Sequence, residues 1–282
     1  MSIYQISIWD NQPLEEGYKQ LSVLNFQKAD KHFHEAAQGY IADPDGLERA
    51  ISASRFWQSQ MVGFNPSSEG IVLAEHLGSL LLAFEQYPFT SALKNFRKAL
   101  LHYIVSLCYH TDDWNENQLF TAFDLLLEQK EYSRAEDLIQ RGRTLFPDNF
   151  SLPCLESQVL WRNRKIEPAQ RLNMWLFLHH PAAVLINRIE DPSFLTLMDK
   201  HGIYMTPAYV RLYRSELYVP LSDVVIIQNE EHHIALECYR LIHLSDQALR
   251  QHNTQESARY RKRLKKLAPE LYQAYFKRHI NR

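Results

Sequence analysis

The stretch KEYSRAEDLIQRGRTLFPDN, residues 130–149, places Ala135 twelve positions before Pro147. The stretch KIEPAQRLNMWLFLHHP, residues 165–181, has the same separation between Ala169 and Pro181. Both residues of the second pair lie 34 positions after those of the first. A fixed period of this size is typical of stacked helical hairpins. The alanines permit two helices to cross closely, and each proline ends a helix by removing an N–H donor.

Apolar and small residues flank both pairs at helical spacing. They are Leu119, Ala122, Leu126, Tyr132, Ile139 and Gly142 in the first repeat, and Ser157, Leu160 and Ile166 in the second repeat. Residues 116–181 therefore resemble the tetratricopeptide repeat, a helix–turn–helix unit of 34 residues. The resemblance implies an all-α fold, a right-handed superhelix (α–α solenoid) of antiparallel helical hairpins. Weaker echoes occur at Phe26/Ala29/Phe33/Ala36, at Phe96/Ala99/Tyr103 and at Leu249/Ala258 before Pro269.

The composition agrees with a helical chain. Glycine occurs only 8 times in 282 residues, and glycine is costly inside helices but frequent in the turns of β proteins. We expect three regions: an N-terminal arm (extended over 1–9) and helical hairpins at 1–70, a repeat core at 71–181, and a C-terminal helical region at 182–282. We also expect a capping box, with Asp113 at the start of a helix and Glu116 reaching back to it.

The resemblance implies a non-catalytic adaptor or scaffold that binds a protein or peptide in the concave groove of the superhelix. The first helix of each repeat would line that groove. Following its spacing, the groove-facing candidates are Asn117, Phe120, Asp124 and Leu127, then Gln158, Trp161 and Arg162. For the two aromatic residues in this set, burial in the core is the alternative interpretation.

A second hypothesis rests on the basic C-terminal segment. RYRKRLKKLAPELYQAYFKRHINR, residues 259–282, contains Glu270 as its only acid, although the whole chain has a net charge of −2. Basic side chains neutralise phosphates, and aromatic ones stack on bases. The segment could instead be a solvated capping helix, bind an anionic membrane surface, or dock on the acidic body of another copy to form a homodimer. The basic patch consists of Arg259, Arg261, Lys262, Arg263, Lys265 and Lys266.

A third hypothesis is an enzyme or metal site within EEHHIALECYRLIH, residues 230–243. His233 and Glu237 are four residues apart and would share one helix face. The pattern is not HExxH, and the chain contains no GxSxG, P-loop or GxGxxG motif. We therefore expect no enzyme activity, no cofactor and no metal.

The cellular location is predicted from features that the sequence lacks. Cys108, Cys154 and Cys238 are isolated, which is typical of a reducing cytoplasm. The longest uncharged runs are shorter than the roughly 18 residues needed to span a bilayer. The N-terminal residues MSIYQISIWDNQPLEEGYK have no basic start followed by a long apolar run. We expect a cytoplasmic protein without a membrane span or secretory signal.

Overall fold

A computed structural model describes residues 12–39, 43–61, 71–107, 113, 115–221 and 225–280. Within these ranges every regular element is a helix, which confirms the all-α prediction. The predicted arm at 1–9 and Cys108 lie outside the described residues. Contacts divide the chain into two units, one up to Arg134 (unit 1) and one from Ala135 onward (unit 2). The three regions expected from the sequence are not tested by this division and stay a prediction.

Unit 1 is built from helices of 11 to 18 residues. They are α1 Gln12–Ser22, α2 Phe26–Ala37, α3 Pro44–Met61, α4 Ile71–Gln86, α5 Lys94–Leu107 and α6 Glu116–Glu128. A short 3₁₀ turn, Ser91–Leu93, precedes α5. Its core centres on Trp57, whose indole is fully buried. The rings of Phe84, Phe89 and Phe96 lie 6.1–6.5 Å from that of Trp57.

Unit 2 begins inside α7 (Tyr132–Leu145). The helices that follow are α8 Leu152–Arg162, α9 Ile166–His179, α10 Pro192–Tyr213, α11 Glu230–Arg250, α12 Thr254–Leu267 and α13 Pro269–Ile280. Its largest buried side chains include Phe177, Phe194, Tyr239 and Tyr275. Among the described helices, none has both the length and the hydropathy needed to cross a membrane.

Four helix pairs are joined by the same tight turn. In each, one non-glycine residue adopts the left-handed conformation with φ near 60°, which is uncommon for such residues. The next N–H donates to the carbonyl oxygen five residues back at 2.8–2.9 Å, as in a Schellman-type helix end. The left-handed residues are Leu24, Lys130, Arg164 and His252. Two of these turns are separated by 34 residues, so the period found in the sequence is the period of a structural hairpin.

The four hairpins also share a pattern of small, buried residues. Five positions after each left-handed residue there is a fully buried small side chain: Ala29, Ala135, Ala169 or Ser257. Seven positions before it stand Gly17, Phe123, Ser157 and Ser245, three of which are small. The Ser157 hydroxyl donates to the Ala169 carbonyl oxygen at 3.3 Å, and the Ser245 and Ser257 hydroxyls are 2.9 Å apart. These short distances show that α8 and α9 cross closely, as do α11 and α12, and larger residues at these crossings would separate the helices.

The C-terminal echo was placed one residue too far along the chain. The small residue at the α11–α12 crossing is Ser257, while Ala258 is exposed. The hydroxyl of Ser257 fits because Ser245 supplies its hydrogen-bond partner. Packed hairpins are therefore observed inside each unit, at α1–α2, α8–α9 and α11–α12, whereas the arrangement as a tetratricopeptide-like superhelix stays a prediction.

The expected capping box at Asp113 and Glu116 was wrong by two residues. Asn115 is the N-cap of α6: its side chain accepts from the Gln118 N–H at 3.0 Å, and the Gln118 side chain accepts from the Asn115 N–H at 2.9 Å. The Gln118 amide also donates to the Ala74 carbonyl oxygen at 2.9 Å. That additional contact ties α6 to α4, which a capping pair at 113 and 116 would not do.

Helix α10 is bent at Gly202, whose φ of 78° and ψ of 163° are accessible almost only to glycine. A Cβ added there would meet no atom within 4 Å, so the constraint is the backbone conformation alone. We predict that Gly202→Ala lowers the free energy of unfolding by about 1–3 kcal/mol in urea denaturation. Gly39→Ala is the matched control, since a Cβ there has only an ordinary contact at 3.6 Å. Equal losses in the two variants would contradict this explanation.

Candidate binding surfaces

The groove candidates on α6 are not equally accessible. Asn117 is exposed, and Phe120 and Asp124 are half-buried. Leu127 is only 4% exposed and belongs to the core. Because three consecutive residues, 125–127, are buried, more than half of the circumference of α6 is covered. Leu127 is therefore removed from the surface candidates.

The candidates on α8 take part in a polar network. Gln158 is only 5% exposed, donates to Glu190 at 3.0 Å and accepts from Arg188 at 3.4 Å. Arg162 donates to the same Glu190 carboxylate at 2.6 Å, and Trp161 is half-buried. Gln158 therefore does not line an open surface, and the Arg162 guanidinium is held by a carboxylate of its own unit. The sequence spacing placed these residues on one face but could not show that Glu190 pairs with them.

The side chains of the segment 230–243 are not gathered into one site: His233 is exposed, whereas Glu237, Cys238 and His243 have structural roles. Glu237 pairs with Arg263 at 3.0 Å, and the His243 ring stacks on Tyr218 at 3.8 Å. Cys238 is fully buried, which raises the pKa of its thiol to about 12 and opposes formation of a thiolate nucleophile. Over the described residues, no three His, Cys, Asp or Glu side chains are placed to hold a metal ion.

His232 on α11 predicts a pH dependence of stability. Its Nε2 lies 3.1 Å from the Leu178 carbonyl oxygen, and its Nδ1 accepts from the Gln228 N–H at 3.3 Å, so the ring is held in its neutral form. Burial lowers the pKa of His232 in the folded state. In the unfolded chain the pKa of the His232 ring is near 6.5, so the unfolded chain binds the proton more readily than the folded one. The contribution of His232 to the free energy of unfolding is therefore fully present above about pH 6.5 and decreases as the pH falls below that value.

Six further histidines have a pKa lowered chiefly by burial, and they act in the same direction: His76, His102, His179, His180, His201 and His243. We predict that the free energy of unfolding, measured in urea, decreases from about pH 7 to pH 5. His232→Gln is expected to reduce the steepness of that decrease. A flat profile, or increasing stability towards acid, would contradict the prediction.

Two adjoining clefts in unit 1 were not found from the sequence. The first, about 500 Å³, is formed by α4 and the end of α3 and is called the apolar cleft. Phe56 is 38% exposed and Leu82 is 54% exposed at its wall. Its lining is completed by Ser79, Ala83, Gln86, Tyr87 and Pro88. Exposed large apolar side chains that share one cleft are a feature of interaction sites.

The second cleft, of about 710 Å³, is called the acidic cleft. It shares Tyr87 and Pro88 with the apolar cleft, so the two clefts adjoin. The exposed residues of α3 that line it are Asp45, Glu48, Arg49 and Ser52, and Phe89, Thr90 and Leu93 complete the wall. The two carboxylates and one guanidinium give this cleft a net negative charge.

Aromatic rings packed around the buried Trp57 fix the shape of both clefts. The Phe56 ring lies 5.2 Å from Trp57 and 5.1 Å from Tyr87. Tyr87 contacts Phe89 at 4.9 Å, and both of these rings contact Trp57. Because these side chains are held by the core, the clefts are present before any partner binds, which reduces the entropic cost of binding.

The predicted basic patch lies on α12 as expected from the sequence. Among its side chains, Arg259, Lys262, Arg263, Lys265 and Lys266 are exposed. Arg263 pairs with Glu237, and the Arg261 guanidinium donates to the Ser257 carbonyl oxygen at 3.3 Å. Only Ser257 and Leu264 of this helix are buried, so α12 presents most of its circumference outward.

Comparison with known proteins identifies no relative of this chain. A scan against models of protein families finds no match to this chain, and searches of curated proteins and of solved structures find none either.

Proposed function

We propose that this protein is a non-catalytic adaptor that binds an extended segment of a protein partner in the two clefts of unit 1. The observation that carries the proposal is the pair of exposed apolar side chains, Phe56 and Leu82, at the wall of one preformed cleft. The resemblance of residues 116–181 to the tetratricopeptide repeat supports the same class of function. The site, however, moves from the predicted groove to the α3–α4 surface.

The dimensions favour a peptide segment as the occupant. From Asp45 to Phe56, α3 advances roughly 17 Å at 1.5 Å per residue. An extended chain covers that distance in about five residues. The two clefts differ in character, so the segment would carry an apolar side chain at one end and a basic one at the other. The apolar side chain enters beside Leu82, and the basic one lies near Asp45 and Glu48.

A displayed peptide library selected on the full-length protein tests this proposal. We expect enriched sequences to share a large apolar residue and a basic residue about three to five positions apart. Leu82→Asp is expected to weaken binding of an enriched peptide by about tenfold or more, because burial of one leucine contributes about 1.5–3 kcal/mol. Glu48→Lys should shift the selected sequences from basic to acidic residues.

Val23→Asp is the matched control, since Val23 is also an exposed apolar residue of unit 1, at 66% exposure, but lies outside both clefts. It should leave peptide affinity unchanged. Selection that enriches no common sequence, or enriched peptides that bind Leu82→Asp as well as the original protein, would refute the site.

A further inference from the structure

The outer face of α12 carries a row of exposed basic side chains. Arg259, Lys262 and Lys266 are exposed and lie on the side opposite Ser257 and Leu264, the two buried residues of the helix. From the first to the last of these charges the helix advances roughly 10 Å. This face therefore has the form of a linear basic track.

Among the described residues, no ion pair involves Arg259, Lys262 or Lys266, so nearby carboxylates offset this track only in part. Glu237 is paired with Arg263 on the flank of the helix. Glu256, in the first turn, accepts from the Tyr260 hydroxyl at 2.8 Å and from the Asn253 amide at 3.0 Å, and its single negative charge offsets at most one of the three cations. Glu270 belongs to α13 and lines a separate cleft with Lys200 and His201. The positive potential of the outer face consequently remains available to an anionic ligand.

Two aromatic rings of α13 lie near Lys265, the residue that precedes Lys266 of the basic track. The Lys265 ammonium is 5.7 Å from the Tyr272 ring centroid, and the Tyr272 and Phe276 rings are stacked at 6.0 Å. Phe276 is 44% exposed, whereas its neighbour Tyr275 is fully buried and holds α13 in place. Phe276 therefore presents an exposed apolar ring that is linked to α12 through Tyr272 and Lys265.

We infer that the α12–α13 surface binds single-stranded nucleic acid. Proteins that bind single strands combine a positive surface that follows the phosphates with aromatic side chains on which bases stack. In this arrangement Arg259, Lys262 and Lys266 contact successive phosphates, and a base stacks on Phe276. An acidic peptide would use the charges but would have no need for the exposed ring beside them. The inference does not depend on the proposed peptide clefts, because those lie in unit 1 and involve other residues.

The first test is fluorescence anisotropy of a labelled single-stranded oligonucleotide of about 20 nucleotides, mixed in sequence, with the full-length protein. We expect saturable binding that weakens from roughly 50 to 200 mM salt. The logarithm of the association constant should decrease with the logarithm of salt concentration with a slope of about −2, corresponding to about three phosphate contacts. No binding at the lower salt concentration would overturn the inference.

Charge variants identify the surface. Lys262→Glu with Lys266→Glu should abolish most of the binding and reduce the salt slope. The matched control is Lys28→Glu with Lys31→Glu, the same charge change at exposed positions of α2. Both double variants should unfold at the temperature of the original protein. Equal loss of binding in the two would show only a response to net charge and would overturn the assignment to α12.

Aromatic variants separate stacking from charge. Phe276→Ala and Phe276→Leu should each weaken binding by about fivefold or more, with the salt slope unchanged. The leucine variant retains an apolar side chain but has no ring, so affinity equal to that of the original protein would overturn the stacking contact. Binding to phosphatidylserine vesicles that depends on Lys262 and Lys266, in the absence of oligonucleotide binding, would replace nucleic acid by an anionic membrane surface.

Discussion

Replacing Asp246 with alanine is expected to destabilise the fold by about 3–5 kcal/mol, because the change leaves the buried Arg211 charge without its partner. The Asp246 carboxylate lies 3.4 Å from the Arg211 guanidinium, and both side chains are buried. It also accepts from the Tyr275 hydroxyl at 2.9 Å, which connects α10 and α11 to α13. Since whole domains have stabilities of about 5–15 kcal/mol, urea denaturation should show a large decrease in the transition midpoint.

The double variant Arg211→Met with Asp246→Leu provides the control. Removing both charges eliminates the unpaired guanidinium, so the loss should be smaller than in Asp246→Ala alone. The Tyr275 hydroxyl retains Ser245 as a partner at 3.0 Å. A double variant less stable than the single one would contradict the view that the cost comes from an uncompensated buried charge.

Replacing Trp57 with alanine is expected to cost about 3–5 kcal/mol of stability, as for other large aromatic side chains in a core. The Trp57 ring is fully buried and contacts five aromatic rings: Phe56, Phe84, Tyr87, Phe89 and Phe96. Three of these rings line the proposed clefts. The variant should therefore lose peptide binding together with stability.

Trp57→Phe distinguishes lost volume from lost polar contacts. The Trp57 indole N–H is buried and has no hydrogen-bond partner among the described residues. Removing this unsatisfied donor offsets part of the lost packing, since an unpaired buried polar group costs about 1–3 kcal/mol. We expect the phenylalanine variant to be much closer in stability to the original protein than the alanine variant, measured by urea denaturation. Similar losses in both would show that the indole N–H is satisfied.

The sequence predicted the hairpins best where small residues and prolines coincide. Ala135 with Pro147 and Ala169 with Pro181 identified two of them. The α1–α2 hairpin shares the same turn and places Gly17 against Phe33, where a Cβ would lie 2.5 Å from the ring. It was only a weak echo because Ile41, not proline, stands twelve residues after Ala29. At α11–α12 two serines replace the small apolar residues, and their mutual hydrogen bond is visible only in three dimensions.

The candidate sites, too, could be predicted from the sequence only in part. The basic charges of α12 are contiguous in the sequence and were identified from it. The clefts depend on which member of an apolar run remains outside the core. Leu80 and Leu81 are buried while Leu82 is exposed, as consecutive residues on a helix point in directions about 100° apart. Periodicity alone does not tell which of the three faces outward, because Leu125, Leu126 and Leu127 of α6 are all buried. The burial of Leu127 and the pairing of Arg162 with Glu190 could not be predicted from the periodicity of the sequence either.

The most direct test of the adaptor proposal is amide hydrogen exchange of the full-length protein with and without a peptide enriched in the library selection. We predict slowed exchange in residues 45–56 and 79–90, with exchange in α6, α8 and α12 unchanged. Protection confined to α6 and α8 would instead place the partner in the groove expected from the tetratricopeptide resemblance. That result, or protection confined to α12, would contradict the assignment of the site to the clefts beside Phe56 and Leu82.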